Sequence, residues 1–171
     1  MFGKADDPNV AMVSAPAIEG VDHNGLVVGK WKNGLFASCS KNCVPNAVTP
    51  LLCPGISMAQ ICSRLGLANF FSVLFSYLSV DGLVVTAVAT KIDVVSTLAV
   101  IMGVLVWLFT IRIRFRMRYL FSIPGSILED IFTSAFCCCC SIAQMADHAE
   151  SFEINTFAVL PRATLPGYTF G

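Results

Sequence analysis

Two long apolar stretches separated by three residues constrain this chain more than anything else in it. Leu67 to Thr90 reads LANFFSVLFSYLSVDGLVVTAVAT, Lys91-Ile92-Asp93 follow, and Val94 to Ile111 reads VVSTLAVIMGVLVWLFTI. The second stretch offers about 18 residues without a charge, the minimum for crossing a hydrocarbon layer as a helix. The first is longer and carries one acid, Asp81. Three residues between them leave room only for a tight turn, so two spans here form a helical hairpin whose outer ends return to one side. Core helices of a soluble protein are the alternative. Composition argues against it, because 56% apolar and 13% charged residues leave too little polar surface for a 171-residue chain.

Charge gives the hairpin a direction. Arg112, Arg114, Arg116 and Arg118 follow the second stretch and Arg64 precedes the first, whereas the turn holds only Lys91. By the positive-inside rule both flanks, and both termini with them, are expected in the cytosol, with the plasma membrane as the expected location. The four arginines are expected to contact lipid headgroups. Eleven basic and eleven acidic residues cancel, and the basic ones bunch at the hairpin end instead of covering a face. That pattern is not the footprint of a nucleic-acid binder. The opening MFGKADDPNVAMVSAP lacks the basic start and apolar run of a secretory signal. It is not a myristoylation start, and GYTFG at the end is not a prenylation box. Any membrane address is expected to be internal.

The flanks divide by texture. Residues 1–29 carry Pro8, Pro16, Gly20, Gly25 and Gly29 among scattered acids, which predicts a disordered tail. A cysteine-rich membrane domain is expected over 30–151, with the hairpin at 67–111, and a flexible tail over 152–171. In the first flank Trp31, Leu35 and Phe36 are the apolar anchors. Pro45, Pro50 and Pro54 prevent a continuous helix before Gly55, and a short helix is expected from about Ile56 to Leu65. In the second flank Pro124-Gly125 signals a turn. Ser126 can cap a helix whose Glu129 completes a capping box. The spacing predicts one amphipathic helix from Ile127 to about Glu150. Its apolar face holds Leu128, Ile131, Phe132, Ala135, Cys139, Ile142 and Ala146; its polar face holds Asp130, Thr133, Ser134, Cys137, Ser141, Gln144 and His148. Such a helix can lie on the membrane surface or pack against the Trp31 segment. The expected fold is therefore an all-α membrane protein: a two-span helical hairpin flanked by a Cys-bearing loop with a short helix and by an amphipathic Cys-rich helix.

The same residues carry a resemblance. Trp31, Leu35 and Phe36, the Cys53-Pro54 step and Gln60-Ile61 stand in order in the first flank. In the second, Arg114, Arg118, Phe121, Ile123, Gly125, Ser126, Asp130, Cys137, Cys140 and Gln144 do. In this the chain resembles the cysteine-rich membrane family that includes placenta-specific protein 8, cornifelin, the plant cadmium-resistance proteins and the fruit-weight or cell-number regulators. The resemblance implies an oligomeric membrane protein taking part in divalent-cation transport or tolerance, for cadmium, zinc or calcium. The alternative is a non-transporting acylated membrane adaptor or regulator of cell growth or cell number. The chain departs from the family pattern at Gly55, where members commonly carry a second cysteine, at Ala37, which replaces an acid, and at His148, which replaces a Glu.

Eight cysteines in a cytosolic setting point to metal ligands, acylation sites or packing rather than a secreted disulfide framework. Cys137, Cys138, Cys139 and Cys140 form the densest run. A helix turns about 100° per residue, so Cys137 and Cys140 share a face and can bind a soft cation together. A closed zinc site needs four ligands, the others coming from Cys39, Cys43, Cys53 or Cys62. S-palmitoylation of the run and plain packing are the other readings. No cofactor is required; a divalent metal ion is the one that would fit. Asp81 inside the first span is an ion-path candidate, with Ser72, Ser76, Ser79 and Thr86 as possible lining of the same channel in a homo-oligomer. The other reading puts Asp81 at an interface. Asp130 and Gln144 are either cation or oligomer contacts, or a cap and a hydrogen bond to the arginine strip. No catalytic triad, phosphate loop or metallopeptidase motif is present, and no enzymatic activity is expected.

Overall fold

The computed structural model describes residues 20–37, 48–152 and 158–168. Two strands, β1 (Gly20–Val21) and β2 (Val27–Val28), pair antiparallel with Gly20 opposite Val28. Six helices follow with complete bounds: α1 (Val48–Leu52), α2 (Pro54–Arg64), α3 (Phe70–Thr90), α4 (Asp93–Leu120), α5 (Ile127–Phe136) and α6 (Cys138–His148). The chain is mostly helical, and α3 and α4 are long and apolar enough to cross a membrane. It is a membrane protein with a cysteine-rich flank on each side of a hairpin.

Local chemistry sets the element ends. Proline lacks an amide proton, so it is tolerated in a helix's first turn; Pro50 falls in the first turn of α1, and Pro54 begins α2. Asn69 caps α3, its side chain accepting from the amide of Phe71. Lys91 ends α3 in the left-handed region at φ 54° and its amide reaches the Ala87 carbonyl. Only Lys91 and Ile92 then separate the two long helices. Ser126 caps α5 as expected, its Oγ accepting from the amide of Glu129.

At 1.5 Å per residue the 21 residues of α3 reach about 31 Å, close to the thickness of a bilayer core. The 28 residues of α4 reach about 42 Å, so its last two or three turns, which carry the arginines, stand outside the hydrocarbon. The outward faces of both helices, with Phe75, Val85, Val88, Val100, Leu105 and Leu108, are apolar and exposed.

The other described residues gather at the end where α3 begins and α4 stops. Met58 and Ile61 of α2, Leu65 at its C-cap, Phe70 and Val73 of α3, Met117 of α4, Ile142 and Met145 of α6, and Phe121 form one core. Both flanks thus build a single cap at one end of the hairpin. Residues 20–29 and 158–168, read from composition as parts of loose tails, belong to this cap. Leu26 is 2% exposed, and Leu165 and Tyr168 are buried. The amide of Gly29 bonds the Phe121 carbonyl, and that of Leu165 bonds the Arg64 carbonyl. Apolar residues spaced along low-complexity sequence dock onto a core formed elsewhere, which composition does not reveal.

The second flank is not one helix. It breaks at Cys137, and α5 and α6 diverge by 117°. The burial is also the reverse of the expected one over α5: Asp130 and Ser134 are buried, while Leu128, Phe132 and Ala135 face outward. The reason lies in α4, whose arginines need the polar side of α5.

Candidate functional site

The family-like polar residues meet in one place. Arg114 donates from Nε to Asp130 Oδ1 at 3.1 Å, from Nη1 to Ser141 Oγ at 3.3 Å and from Nη2 to Gln144 Oε1 at 2.8 Å. Arg118 donates from Nη1 to Asp130 Oδ2 at 2.7 Å and to the Ser126 carbonyl at 2.8 Å. Asp130 is 1% exposed, Arg114 4% and Arg118 7%. The Trp31 ring closes the network, with the Arg114 guanidinium 4.6 Å from its centroid. Gln144 passes the connection on, donating to the Asn33 carbonyl at 3.0 Å.

Two guanidiniums on one carboxylate make a buried charged cluster in which all three Arg114 nitrogens donate and Arg118 Nη1 donates twice, while Arg118 Nε has no partner among the described residues. Of the two readings of Asp130 and Gln144, the geometry gives the hydrogen-bonded one. It also corrects the reading of the arginine strip. Arg114 and Arg118 turn into the cap and do not contact headgroups, because α5 lies over them. Gly125 has φ +145°, and a Cβ built there would stand 2.5 Å from Arg118 Nη2, so the position must be bare for the guanidinium to reach Asp130.

His148 lies on the far side of Trp31. Its ring meets Trp31 edge-on at 5.2 Å and Phe121 at 4.5 Å, and Nδ1 accepts from the Lys32 amide at 3.2 Å. That bond requires an unprotonated Nδ1. Burial, and then the Lys32 charge, hold the imidazole pKa down at about 4. Asn33 Nδ2 donates to Asp147 Oδ2 at 2.6 Å and Lys32 Nζ pairs with Glu150 at 2.6 Å. The Trp31 segment is therefore strapped to α6.

Among the described residues the cysteines do not form one chamber. Cys137, at the break between α5 and α6, and Cys140, in the first turn of α6, are joined as a disulfide, so neither is a free thiol for a cation or an acyl chain. Cys53, at the N-cap of α2, and Cys138 and Cys139 are half-buried free thiols. Cys62 is fully buried in the core, and burial pushes its thiol up to about 12. Such a thiol stays protonated and packs as an apolar group. Cys39 and Cys43 lie outside the described residues. Among the described residues, no group of three or more His, Cys, Asp or Glu side chains is placed to hold a metal ion.

Of the remaining sequence candidates, Gln60 is buried and donates to the Ala158 carbonyl at 2.7 Å, tying the C-terminal segment to α2. Pro54 starts α2. Phe36, expected as an anchor, is 73% exposed. Gly55 is a packing residue: a Cβ on it would stand 2.6 Å from Tyr77 Cβ, so α2 and α3 touch there. A contact the sequence reading missed is the buried hydrogen bond between Tyr77 and Thr110, at 3.0 Å across the hairpin. Its signal was a lone hydroxyl one turn before Arg114.

Asp81 is exposed on α3, twelfth of its 21 residues, and has no hydrogen-bond or ion-pair partner among the described residues. At 100° per residue it projects roughly opposite to Ser72, Ser76, Ser79 and Thr86, which share a stripe of their own. Ser76, Ser79 and Thr86 already donate to carbonyls four residues back. One copy of α3 cannot put Asp81 and these hydroxyls on one wall.

No curated protein and no solved structure matches the chain significantly. The model of the PLAC8 family matches residues 31–148, from Trp31 to His148. The match begins and ends on two side chains in contact, and it encloses the hairpin and the arginine network. The chain belongs to the PLAC8 family.

Proposed function

We propose that this protein works as a homo-oligomer in the plasma membrane, cap and termini in the cytosol, and that Asp81 lines a path for divalent cations such as cadmium, zinc or calcium. The observation that carries this reading is the position of Asp81. A carboxylate near the middle of a spanning helix, exposed and unpaired among the described residues, costs about 3 kcal/mol against lipid. Neighbouring copies, enclosed water or a cation remove that cost. Because the Ser72–Thr86 stripe faces the other way, a closed ring of α3 helices would give each copy an acidic wall and a hydroxyl wall facing different neighbours.

A second reading has its own support. The cap is a rigid, densely bonded unit, and the described residues hold no three-ligand metal group. Cys138 and Cys139 are half-exposed free thiols. These features suit an acylated adaptor or growth regulator that does not move ions.

One experiment separates the two. Cadmium and zinc contents are measured in a metal-sensitive host expressing the wild-type chain or Asp81→Asn, with the oligomer followed by cross-linking. Transport requires a change in metal content that Asp81→Asn abolishes while surface expression is kept. Unchanged metal content with intact membrane targeting would leave the adaptor reading.

A further inference from the structure

The direction of α5 carries an inference about the bilayer that does not depend on Asp81. Arg118 bonds the Ser126 carbonyl and Asp130, and Arg114, one turn earlier in α4, bonds Asp130 from the other side. Advancing along α5 therefore retreats along α4, so α5 runs back toward the spanning part of the hairpin. Asp130 is the fourth residue of α5, and six more residues carry the helix about 9 Å further before it breaks. The elbow at Cys137 thus stands past Arg114, on the side of the spanning stretch.

Apart from the exposed Glu129 in its first turn, the outer surface of this descending helix is apolar. Asp130 and Ser134 face α4, while Ile127 is 54% exposed, Leu128 65%, Phe132 59% and Phe136 85%. Exposure rises to its highest at the elbow, and Phe132 and Phe136 stack at 6.2 Å. A water-facing helix would carry the opposite pattern. On the cap-side part of α4, Phe115 and Leu108 are exposed as well, so the patch continues the apolar surface of the spanning helices.

We propose that α5 is a re-entrant element, dipping into the cap-side leaflet with Ile127, Leu128, Phe132 and Phe136 seated among phospholipid acyl chains and turning back at the Cys137 elbow. Its ten residues reach about 15 Å, enough to enter one leaflet and too short to cross. The break at Cys137 then returns the chain to the cap as α6, whose own surface is almost wholly buried.

The test uses the full chain in phosphatidylcholine vesicles with photoreactive benzoylphenylalanine at position 136, an exposed aromatic site that tolerates the larger ring. The same group at Leu105, on the outer face of α4, reports lipid contact, and at Ser122, in the exposed turn, reports water. After irradiation, mass spectrometry is expected to find a phospholipid adduct at 136 and 105 and none at 122. A cross-link from 136 to a second copy of the chain, or labelling at 105 with no adduct at 136, would overturn the proposal.

Discussion

Removing the carboxylate of Asp130 should unfold the cap more readily than any single change on its surface. Asp130→Ala leaves two guanidiniums, each under a tenth exposed, without their shared counter-charge. Arg114 keeps Ser141 and Gln144 as acceptors, but Arg118 keeps only the Ser126 carbonyl. Breaking a buried ion pair from one side typically costs about 3–5 kcal/mol. For a chain of this size each kcal/mol lowers the midpoint by about 2–4 °C, so the variant should melt roughly 6–20 °C lower. The assay is thermal unfolding of the purified protein in mild detergent. Lys32→Ala is the control: it removes an ion pair whose partners are 36% and 42% exposed and should cost less than about 1 kcal/mol. Arg118→Met made in the Asp130→Ala background should cost less than it does in the wild type, because no carboxylate remains to be stranded. An Asp130→Ala midpoint within 2 °C of wild type, on the order of 1 kcal/mol or less, would refute the reasoning.

Acid should loosen the strap. His148 is neutral in the fold with a pKa of about 4 against an ordinary 6.5. The unfolded chain therefore takes up the proton first as pH falls. Its contribution is complete above about pH 6.5 and is lost progressively toward pH 4, at most about 3 kcal/mol. Unfolding midpoints measured from pH 7.5 to 4 should fall in that window, and His148→Gln should flatten the fall; an unchanged slope would assign it to other groups. Gly55→Ala should cost about 1–3 kcal/mol, because its new methyl meets Tyr77 Cβ at 2.6 Å. The check is the same melt, with Gly34→Ala, where a Cβ meets nothing, expected to be close to neutral.

The hairpin was legible because length and lack of charge are properties of single segments. The cap of α5 was legible for the same reason: Ser126 and Glu129 stand three residues apart. A hydrogen bond from Asp130 and Gln144 to the arginine strip was one of two readings of the family pattern; choosing between them depends on α5 folding back along α4. The break at Cys137 has no local marker, since residues 127–148 contain neither Pro nor Gly. It follows from two demands on one segment, Asp130 toward α4 and Ile142 toward the α2 core, that a straight helix cannot meet. The reversed burial of α5 misled the pattern because apolar periodicity names a face without naming its solvent. Asp81 and the serines were grouped by proximity in sequence, although the helical angle alone separates them.

The strap also imposes an order on biosynthesis. Lys32 and Asn33 bond His148 and Asp147, partners 116 and 114 positions later. At about 5–20 residues per second the ribosome makes them roughly 6–23 s apart. The hairpin emerges in that interval, so the translocon must handle two greasy helices before the domain that seals their base exists. Arg114 and Arg118 are likewise made before Asp130, so two guanidiniums wait for their shared counter-charge until the acid arrives. The seal on the hairpin's base is thus the last part of the domain to close.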